Sequence, residues 1–149
     1  MKAKTSTTLR KLVIASILYV VLALIATGIA IAENRKAEFG PTTSLPVMQD
    51  FLYGSGTAMS PPLYWLIAQV VLTILAPRRD RWGTIGVVGL ALFGLLFIIG
   101  TLGEPINLEI FNPLTFDLLK AVIQATTIIV LLAMMIFGIL EWRERRRVK

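Results

Sequence analysis

Four apolar segments separated by short polar stretches dominate the pattern of hydrophobic and polar positions along this chain. They cover residues 12–32, 61–76, 84–102 and 117–140. A helix rises about 1.5 Å per residue and a bilayer core is about 30 Å thick, so a membrane-crossing helix needs about 20 apolar residues. The second segment is shorter than this, and we expect its helix to thin the bilayer or to begin in the headgroup region.

The pattern predicts an all-α membrane protein in which four transmembrane helices pack as a small antiparallel bundle. The length of 149 residues fits one integral membrane domain covering residues 1–149. Ser60 and Pro61 have the residue types of an N-cap and a first helical position, and so predict where the second helix begins. The longest loop, residues 33–60, contains PVMQDFLYGSG, which predicts either a short interfacial helix or an irregular loop.

Basic residues cluster on one side of the predicted membrane. With the N-terminus in the cytoplasm, 12 of the 15 lysines and arginines lie inside, and only Arg35, Lys36 and Lys120 lie outside. Orientation follows this bias in short loops, so we expect both termini in the cytoplasm and loop 33–60 outside. The cytoplasmic clusters are also expected to contact anionic lipid. They comprise Lys2, Lys4, Arg10, Lys11, Arg78, Arg79, Arg81, Arg143, Arg145, Arg146, Arg147 and Lys149.

The first apolar segment has a second interpretation. Its basic start, its apolar stretch and the small residues Ala30 and Ala32 before Glu33 resemble a secretory signal peptide with its cleavage site. The apolar stretch is longer than the roughly 7–15 residues usual in such peptides, which favours a retained membrane helix. Cleavage would leave three spans and place the new N-terminus outside.

Composition supports lipid as the solvent and narrows the chemistry. Hydrophobic residues make up 56% of the chain and charged residues 16%, which is more apolar surface than a short soluble chain can bury. The sequence has no cysteine and no histidine, which excludes disulfides, thiol catalysis and Cys/His zinc sites and removes the usual general base. Catalytic and nucleotide-binding fingerprints are also missing from it. We therefore expect no enzymatic activity, cofactor or metal.

The net charge of +6 does not indicate nucleic-acid binding. The basic residues lie in short clusters at the ends of apolar segments, whereas a nucleic-acid-binding protein carries them on a folded soluble face. We expect no nucleic-acid partner.

A polar stripe marks the start of the fourth segment, where Asp117, Lys120, Gln124 and Thr127 fall on one helix face. Asp117 and Lys120 are spaced to pair as residues i and i+3 of a helix. Gln124 lies deeper, and a buried amide in hydrocarbon needs a hydrogen-bond partner. Residues on the first and second segments that are candidates for this partner are Thr27 and Gln69.

Two interpretations of these polar residues stay open. In one, a polar pocket open to the outside is lined by Glu104, Lys120, Gln124, Gln69 and Thr27. In the other, which we favour, Asp117 satisfies Lys120 at the interface and the glutamines tie helices together. Glu104 then marks only the end of the third helix, before Pro105.

Glycines give the third segment a face for helix packing. Gly83, Gly86 and Gly89 step by three residues, and Gly94 follows further along the segment. Small residues allow helix backbones to approach closely, and such packing is a main source of helix association in lipid. We favour a neighbour within the same chain, since a four-span protein must first pack its own helices; the alternative neighbour is a second copy.

These features favour a multi-pass protein of a prokaryotic plasma membrane, since the chain is short and shows no eukaryotic sorting signal. We expect it to act through helix packing, as a non-enzymatic accessory, assembly or scaffold subunit whose partners are the lipid bilayer and a membrane protein or a second copy.

None of the apolar segments has a carboxylate in its interior, which argues against ion-coupled transport. The alternative is an oligomeric small-molecule carrier or channel that uses the outer pocket.

Overall fold

The apolar segments fold as helices. A computed structural model describes residues 6–38, 44–110, 112–114 and 116–147, and for residues 107 and 108 it describes the backbone alone. Within this part of the chain there are helices and no strands, which confirms the all-α prediction. The helices are α1 (Thr7–Ala32), α2 (Val47–Tyr53), α3 (Leu63–Leu75), α4 (Arg81–Gly103), α5 (Ile106–Ile110) and α6 (Leu118–Arg147). Of the basic residues that predict orientation, Lys2, Lys4 and Lys149 lie outside the described residues.

Three of these helices, α1, α4 and α6, are long and apolar enough to cross a membrane. The second apolar segment forms α3, which has 13 residues; at about 1.5 Å per residue its length is roughly 20 Å. Large apolar side chains such as Ile17, Leu95 and Ile129 are about half exposed on the outward faces of the long helices. Exposing an apolar surface of this kind to water costs free energy, whereas contact with lipid chains does not.

The long helices extend beyond the predicted apolar segments because their ends are capped or charged. Helix α1 begins at Thr7, where the Ser6 hydroxyl accepts a hydrogen bond from the backbone N–H of Leu9 at 3.3 Å. Helix α4 begins at Arg81 because the Asp80 carboxylate accepts from the N–H of Gly83 at 3.0 Å. Helix α6 continues to Arg147 rather than ending near residue 140, since its charged end is rich in good helix formers.

The start of α3 differs from the prediction. Ser60 is not an N-cap and Pro61 is not the first helical residue; the cap position belongs to Pro62, and the helix begins at Leu63. The reason is steric, because a residue that precedes a proline is disfavoured in the α conformation. Pro61 precedes Pro62, so the helix starts only after the second proline. The span predicted for residues 61–76 is shortened accordingly.

Neighbouring long helices run antiparallel to each other. Helix α6 packs against α1 and α4, and α3 packs against α4 and α1. Ser6 at the start of α1 contacts Glu141 near the end of α6, and Glu33 after the end of α1 contacts Lys120 near the start of α6. We call the end with Ser6 and Glu141 the tail end, and the opposite end, which holds α2 and α5, the loop end.

Of the four glycines of α4 singled out in the sequence, Gly86, Gly89 and Gly94 face neighbouring helices of the same chain, and Gly83 faces the connection between α3 and α4. A Cβ atom at Gly86 would lie 2.6 Å from the backbone nitrogen of Ala76, and one at Gly94 would lie 2.8 Å from the carbonyl oxygen of Leu131. The same position on Gly89 is occupied by the Leu72 side chain, and that on Gly83 by the backbone of Arg78. Helix α4 thus touches α3 and α6 through backbone atoms that have no room for a side chain.

We predict that Gly94→Ala destabilises the protein by about 1–3 kcal/mol, because its new methyl group would overlap backbone atoms of α6. Gly28→Ala is the matched control, since no atom lies within 4 Å of the added Cβ. Thermal unfolding of both variants in the same detergent measures the difference. Equal midpoints for the two variants would contradict the close contact between α4 and α6.

Candidate functional site

A cavity of about 260 Å³ lies at the loop end, between α1, α3, α4, α6 and the segment of residues 55–62. Its walls are mostly apolar and aromatic, with a few polar groups among them. The lining residues are Tyr19, Ser55, Thr57, Ala58, Met59, Ser60, Pro61, Pro62, Trp65, Leu96, Phe97, Gly100, Thr101, Glu104 and Gln124.

Three aromatic side chains from three different helices form one side of the cavity. The rings of Tyr19 on α1 and Phe97 on α4 are stacked with centroids 5.2 Å apart. Trp65 on α3 meets Phe97 edge to face at 6.4 Å and Phe93 at 5.2 Å. Arrangements of this kind add to the hydrophobic gain of burial. The aromatic cluster therefore closes the cavity on the side that faces the middle of the helices.

The segment of residues 55–62 is fixed to α1 by a chain of hydroxyl groups. The Thr27 hydroxyl donates to the carbonyl of Ala23 at 2.7 Å, and its oxygen lies 2.6 Å from the Ser60 hydroxyl. Ser60 in turn lies 3.0 Å from the Thr57 hydroxyl. Each hydroxyl has one proton, so the bonds run in one direction, from Thr57 through Ser60 to Thr27 and Ala23. This chain holds the outer wall of the cavity in place.

Glycine is required at one turn of the same segment. Gly56 has a φ angle of +100°, and a Cβ atom there would lie 2.6 Å from the carbonyl oxygen of Ser60. The preceding turn is held by Asp50, which is buried and accepts a hydrogen bond from the backbone N–H of Ser55 at 2.8 Å. Non-helical backbone is thus packed firmly against the cavity.

Glu104 places a carboxylate in the cavity wall. It follows the last residue of α4 and is 9% exposed. Its carboxylate accepts a hydrogen bond from the backbone N–H of Glu38 at 3.0 Å. Glu104 therefore both ends α4, as the sequence predicts, and faces the cavity.

Gln124 lines the cavity from α6 and is 1% exposed. Its carboxamide oxygen is buried without a hydrogen-bond partner among the described residues. Neither of the candidate partners, Thr27 and Gln69, bonds to this oxygen, and the carboxamide oxygen of Gln69 is likewise buried without a partner among the described residues. Thr27 bonds to Ala23 and Ser60, and Gln69 lies nearer the middle of the helices.

Gln69 belongs to a separate polar layer between α1 and α3. Its amide nitrogen donates to the hydroxyl of Ser16 at 3.0 Å and to the carbonyl of the same residue at 3.3 Å. The Ser16 hydroxyl also lies 2.7 Å from that of Thr73. This layer ties the two helices together, as the second interpretation of the glutamines proposes for them.

Lys120 lies outside the cavity, in a charged cluster that joins α6 to the end of α1. Its ammonium is 2.7 Å from the carboxylate of Glu33 and 3.2 Å from that of Asp117. The pair with Asp117 is the one that the sequence spacing predicts, whereas the contact with Glu33 was missed. Hydrogen bonds from the backbone and side chain of Lys120 hold the pKa of Asp117 below its usual value. A second pair, Arg35 with Glu109 at 3.0 Å, lies nearby.

The structure therefore brings together two of the five predicted pocket residues, Glu104 and Gln124. Thr27 lies one hydrogen bond behind the wall, and Gln69 and Lys120 take part in other clusters. The aromatic lining was missed, because Tyr19, Trp65 and Phe97 come from distant parts of the chain.

A polar cluster at the tail end was also missed. Glu141 is 3% exposed, and its carboxylate accepts hydrogen bonds from Arg145 and from the Ser6 hydroxyl, each at 2.8 Å. Arg145 also donates to the carbonyls of Ala76 at 2.7 Å and Arg78 at 3.0 Å. The sequence pattern groups Arg145 with the arginines expected to contact lipid. Its side chain instead caps the carbonyls just beyond the end of α3 and joins them to α6.

Comparison with protein-family models, curated proteins and solved structures finds no match to this chain.

We predict that Arg145→Lys lowers the free energy of unfolding by about 1–3 kcal/mol. Three different nitrogens of Arg145 bond Glu141 and the carbonyls of Ala76 and Arg78, and the single nitrogen of a lysine cannot take all three positions. Arg147→Lys is the matched control on the same helix end, where the side chain is exposed, and it should change stability by less than about 0.5 kcal/mol. Thermal unfolding of the two variants tests this. An Arg145→Lys protein as stable as its control would exclude the capping role.

Proposed function

We propose that this chain is a multi-pass protein of a prokaryotic plasma membrane that binds a small ligand at its outer side without carrying it across. In this proposal it is a non-enzymatic accessory or scaffold subunit. Helices α1, α3, α4 and α6 form an antiparallel four-helix bundle in the membrane, both termini are cytoplasmic, and the loop end faces outward.

The short length of α3 is compatible with four spans. The residues just before it, from Gly56 to Ser60 and Pro62, are buried within the protein. Non-helical backbone is tolerated at membrane depth where protein covers it. The segment 56–62 can therefore complete the crossing that α3 is too short to make alone.

The main support for binding without transport is that the protein interior is closed on the side of the cavity that faces the tail end. Beyond the aromatic cluster, the space between the helices is filled by fully buried side chains. They are the apolar Leu12, Val87, Leu90, Leu131 and Met134, together with Ser16 and Gln69 of the polar layer. A carrier or channel within one chain needs an open path, and these tightly packed side chains block it. A site that is closed on this inner side binds its ligand and releases it without passing it to the tail end.

The tail end supports the proposed orientation and the lipid partner. Exposed arginines around it include Arg79, Arg81, Arg143 and Arg147. Basic residues near the cytoplasmic surface interact with anionic lipid at about 1 kcal/mol each. Arg145 does not contribute to this surface, because its side chain is used within the protein.

The proposed topology predicts that a reporter fused after Lys149 is active only in the cytoplasm, and that one inserted in loop 33–60 is active only outside. The reason is the basic bias of 12 residues against 3. An exported reporter that is active at the C-terminus would exclude the four-span arrangement.

The proposed binding function predicts that the purified protein retains a small molecule or lipid in mild detergent, and that reconstituted vesicles show no flux of it. Mass spectrometry of the extracted protein identifies the compound, and a flux assay on the vesicles measures transport. Flux that depends on the protein would instead favour the oligomeric carrier or channel. Absence of any retained compound from wild-type protein, with a membrane protein co-purified in its place, would favour a scaffold that acts only through helix packing.

A further inference from the structure

The cavity at the loop end has a lining whose polar groups favour a cation. Its ionisable carboxyl group is that of Glu104, and its amide is that of Gln124. Neither lysine nor arginine occurs among the residues that line it in the described part of the chain. An ionised carboxylate accepts hydrogen bonds and donates none, so it attracts a ligand that carries donors and positive charge.

Gln124 supplies a second acceptor. Its buried carboxamide oxygen has no partner among the described residues, and leaving such a group unsatisfied costs free energy. A half-turn of the carboxamide exchanges its oxygen and nitrogen, so the group can present the acceptor to a ligand in the cavity. In that orientation a donor bound in the cavity bonds the oxygen, and the amide N–H groups take its buried place.

The aromatic cluster supplies the third contact. Tyr19, Trp65 and Phe97 all line the cavity, and the faces of aromatic rings attract ammonium groups within about 6 Å of their centres. The same rings suit the apolar body of a ligand. A carboxylate beside aromatic side chains is a combination that binds organic cations and discriminates against carboxylates and phosphates.

We propose that this cavity binds an organic ammonium: a protonated amine, or the ammonium headgroup of a lipid, attached to a small apolar body. The proposal rests on the binding function proposed above and adds the chemical class of the ligand. The volume of about 260 Å³ is below the roughly 300–1,000 Å³ of pockets for drug-sized ligands, so the bound part is small. The ammonium lies between Glu104 and Gln124, and the apolar body lies against Trp65 and Phe97.

Gly100 offers a way to fill the cavity without disturbing the protein. It lies in the middle of the face of α4 that lines the cavity, with Leu96 and Phe97 before it and Glu104 after it. No atom lies within 4 Å of a Cβ added at this position. Gly100→Leu therefore places its side chain where the ligand would lie. Gly28→Leu is the matched control, because Gly28 also has open space around it but does not line the cavity.

The test uses three probes of nearly the same shape and different charge: 2-phenylethylamine, 2-phenylethanol and phenylacetate. The full chain in a nonionic detergent carries Trp82→Phe and Trp142→Phe, so that Trp65 in the cavity wall is its only tryptophan. Titration of Trp65 fluorescence measures the affinity of each probe. We expect saturable binding of the amine, binding of the alcohol that is weaker by about tenfold or more, and no binding of phenylacetate.

Variants assign the site. Glu104→Gln and Gln124→Leu should each weaken binding of the amine by about tenfold, and Gly100→Leu should abolish it. Lys120→Met and Gly28→Leu should leave it unchanged, since both residues lie outside the cavity. Thermal unfolding shows which variants are folded, and if Glu104→Gln does not fold, the comparison of the three probes on the unmodified side chain decides the question.

A separate arm distinguishes a lipid headgroup from a free amine. The protein is placed in nanodiscs of phosphatidylglycerol with or without phosphatidylethanolamine. Competition with the amine by phosphatidylethanolamine assigns the lipid headgroup as the source of the ammonium, and no competition assigns a free amine.

Several outcomes overturn the proposal, and they differ in whether a binding cavity remains. Equal affinity for the alcohol or for phenylacetate, or full affinity in folded Glu104→Gln, excludes an ammonium ligand but leaves a binding cavity. If the amine does not bind, the ammonium proposal fails. If, in addition, Gly100→Leu retains the same co-purified compounds as Gly28→Leu, the binding function proposed for the cavity fails as well.

Discussion

The close backbone contact of α4 with its two neighbours is the constraint on which the rest of the structure depends. Gly86 admits the backbone of residues at the end of α3, and Gly94 admits that of α6. In lipid there is no hydrophobic force between helices, so such contacts supply much of the association. Toward the loop end the side chains of Phe93 and Phe97 replace these contacts, and Gly100 faces open space. The cavity lies where the close contact ends.

Polar groups at the loop end are arranged so that most of them satisfy one another. Lys120 bonds to two carboxylates, and the Ser60 hydroxyl joins the outer segment to α1. Isolated polar groups in an apolar interior are costly, so a membrane protein keeps few of them. The exceptions among the described residues are the carboxamide oxygens of Gln69 and Gln124, which are buried without a hydrogen-bond partner, and of these two residues Gln124 lines the cavity. Glu104, which also lines the cavity, accepts a hydrogen bond from the backbone of Glu38.

The helices could be predicted from the sequence because each apolar segment is long and bounded by charges or prolines. The start of α3 could not be, since Ser60 has the residue type of a cap while its hydroxyl is used by Thr27 across the interior. The spacing of Asp117 and Lys120 predicts their pairing, a local contact. Glu33 could not be predicted as the partner of Lys120, because the contact depends on how α1 packs against α6.

The same limit applies to the site. The sequence identifies Glu104 and Gln124 as polar residues in apolar surroundings. Whether they face the same cavity depends on tertiary packing, and so does the hydrogen bond of Gln69 to Ser16. The burial of Glu141 was missed for the same reason, because it depends on how Ser6 of α1 packs against the end of α6. The pairing of Glu141 with Arg145 is local, since the two are residues i and i+4 of one helix.

In the proposed arrangement the cavity opens to the outside and is closed toward the cytoplasm, and the absence of cysteine from the chain allows a direct measurement of both. Single variants Thr101→Cys, in the cavity wall, and Ser16→Cys, in the polar layer on its inner side, are exposed to a membrane-impermeant thiol reagent in spheroplasts and in inside-out vesicles. We expect Thr101→Cys to react in spheroplasts alone and Ser16→Cys to react in neither preparation. Reaction of Ser16→Cys from either side, or of Thr101→Cys from the cytoplasmic side, would contradict a cavity that is open only to the outside.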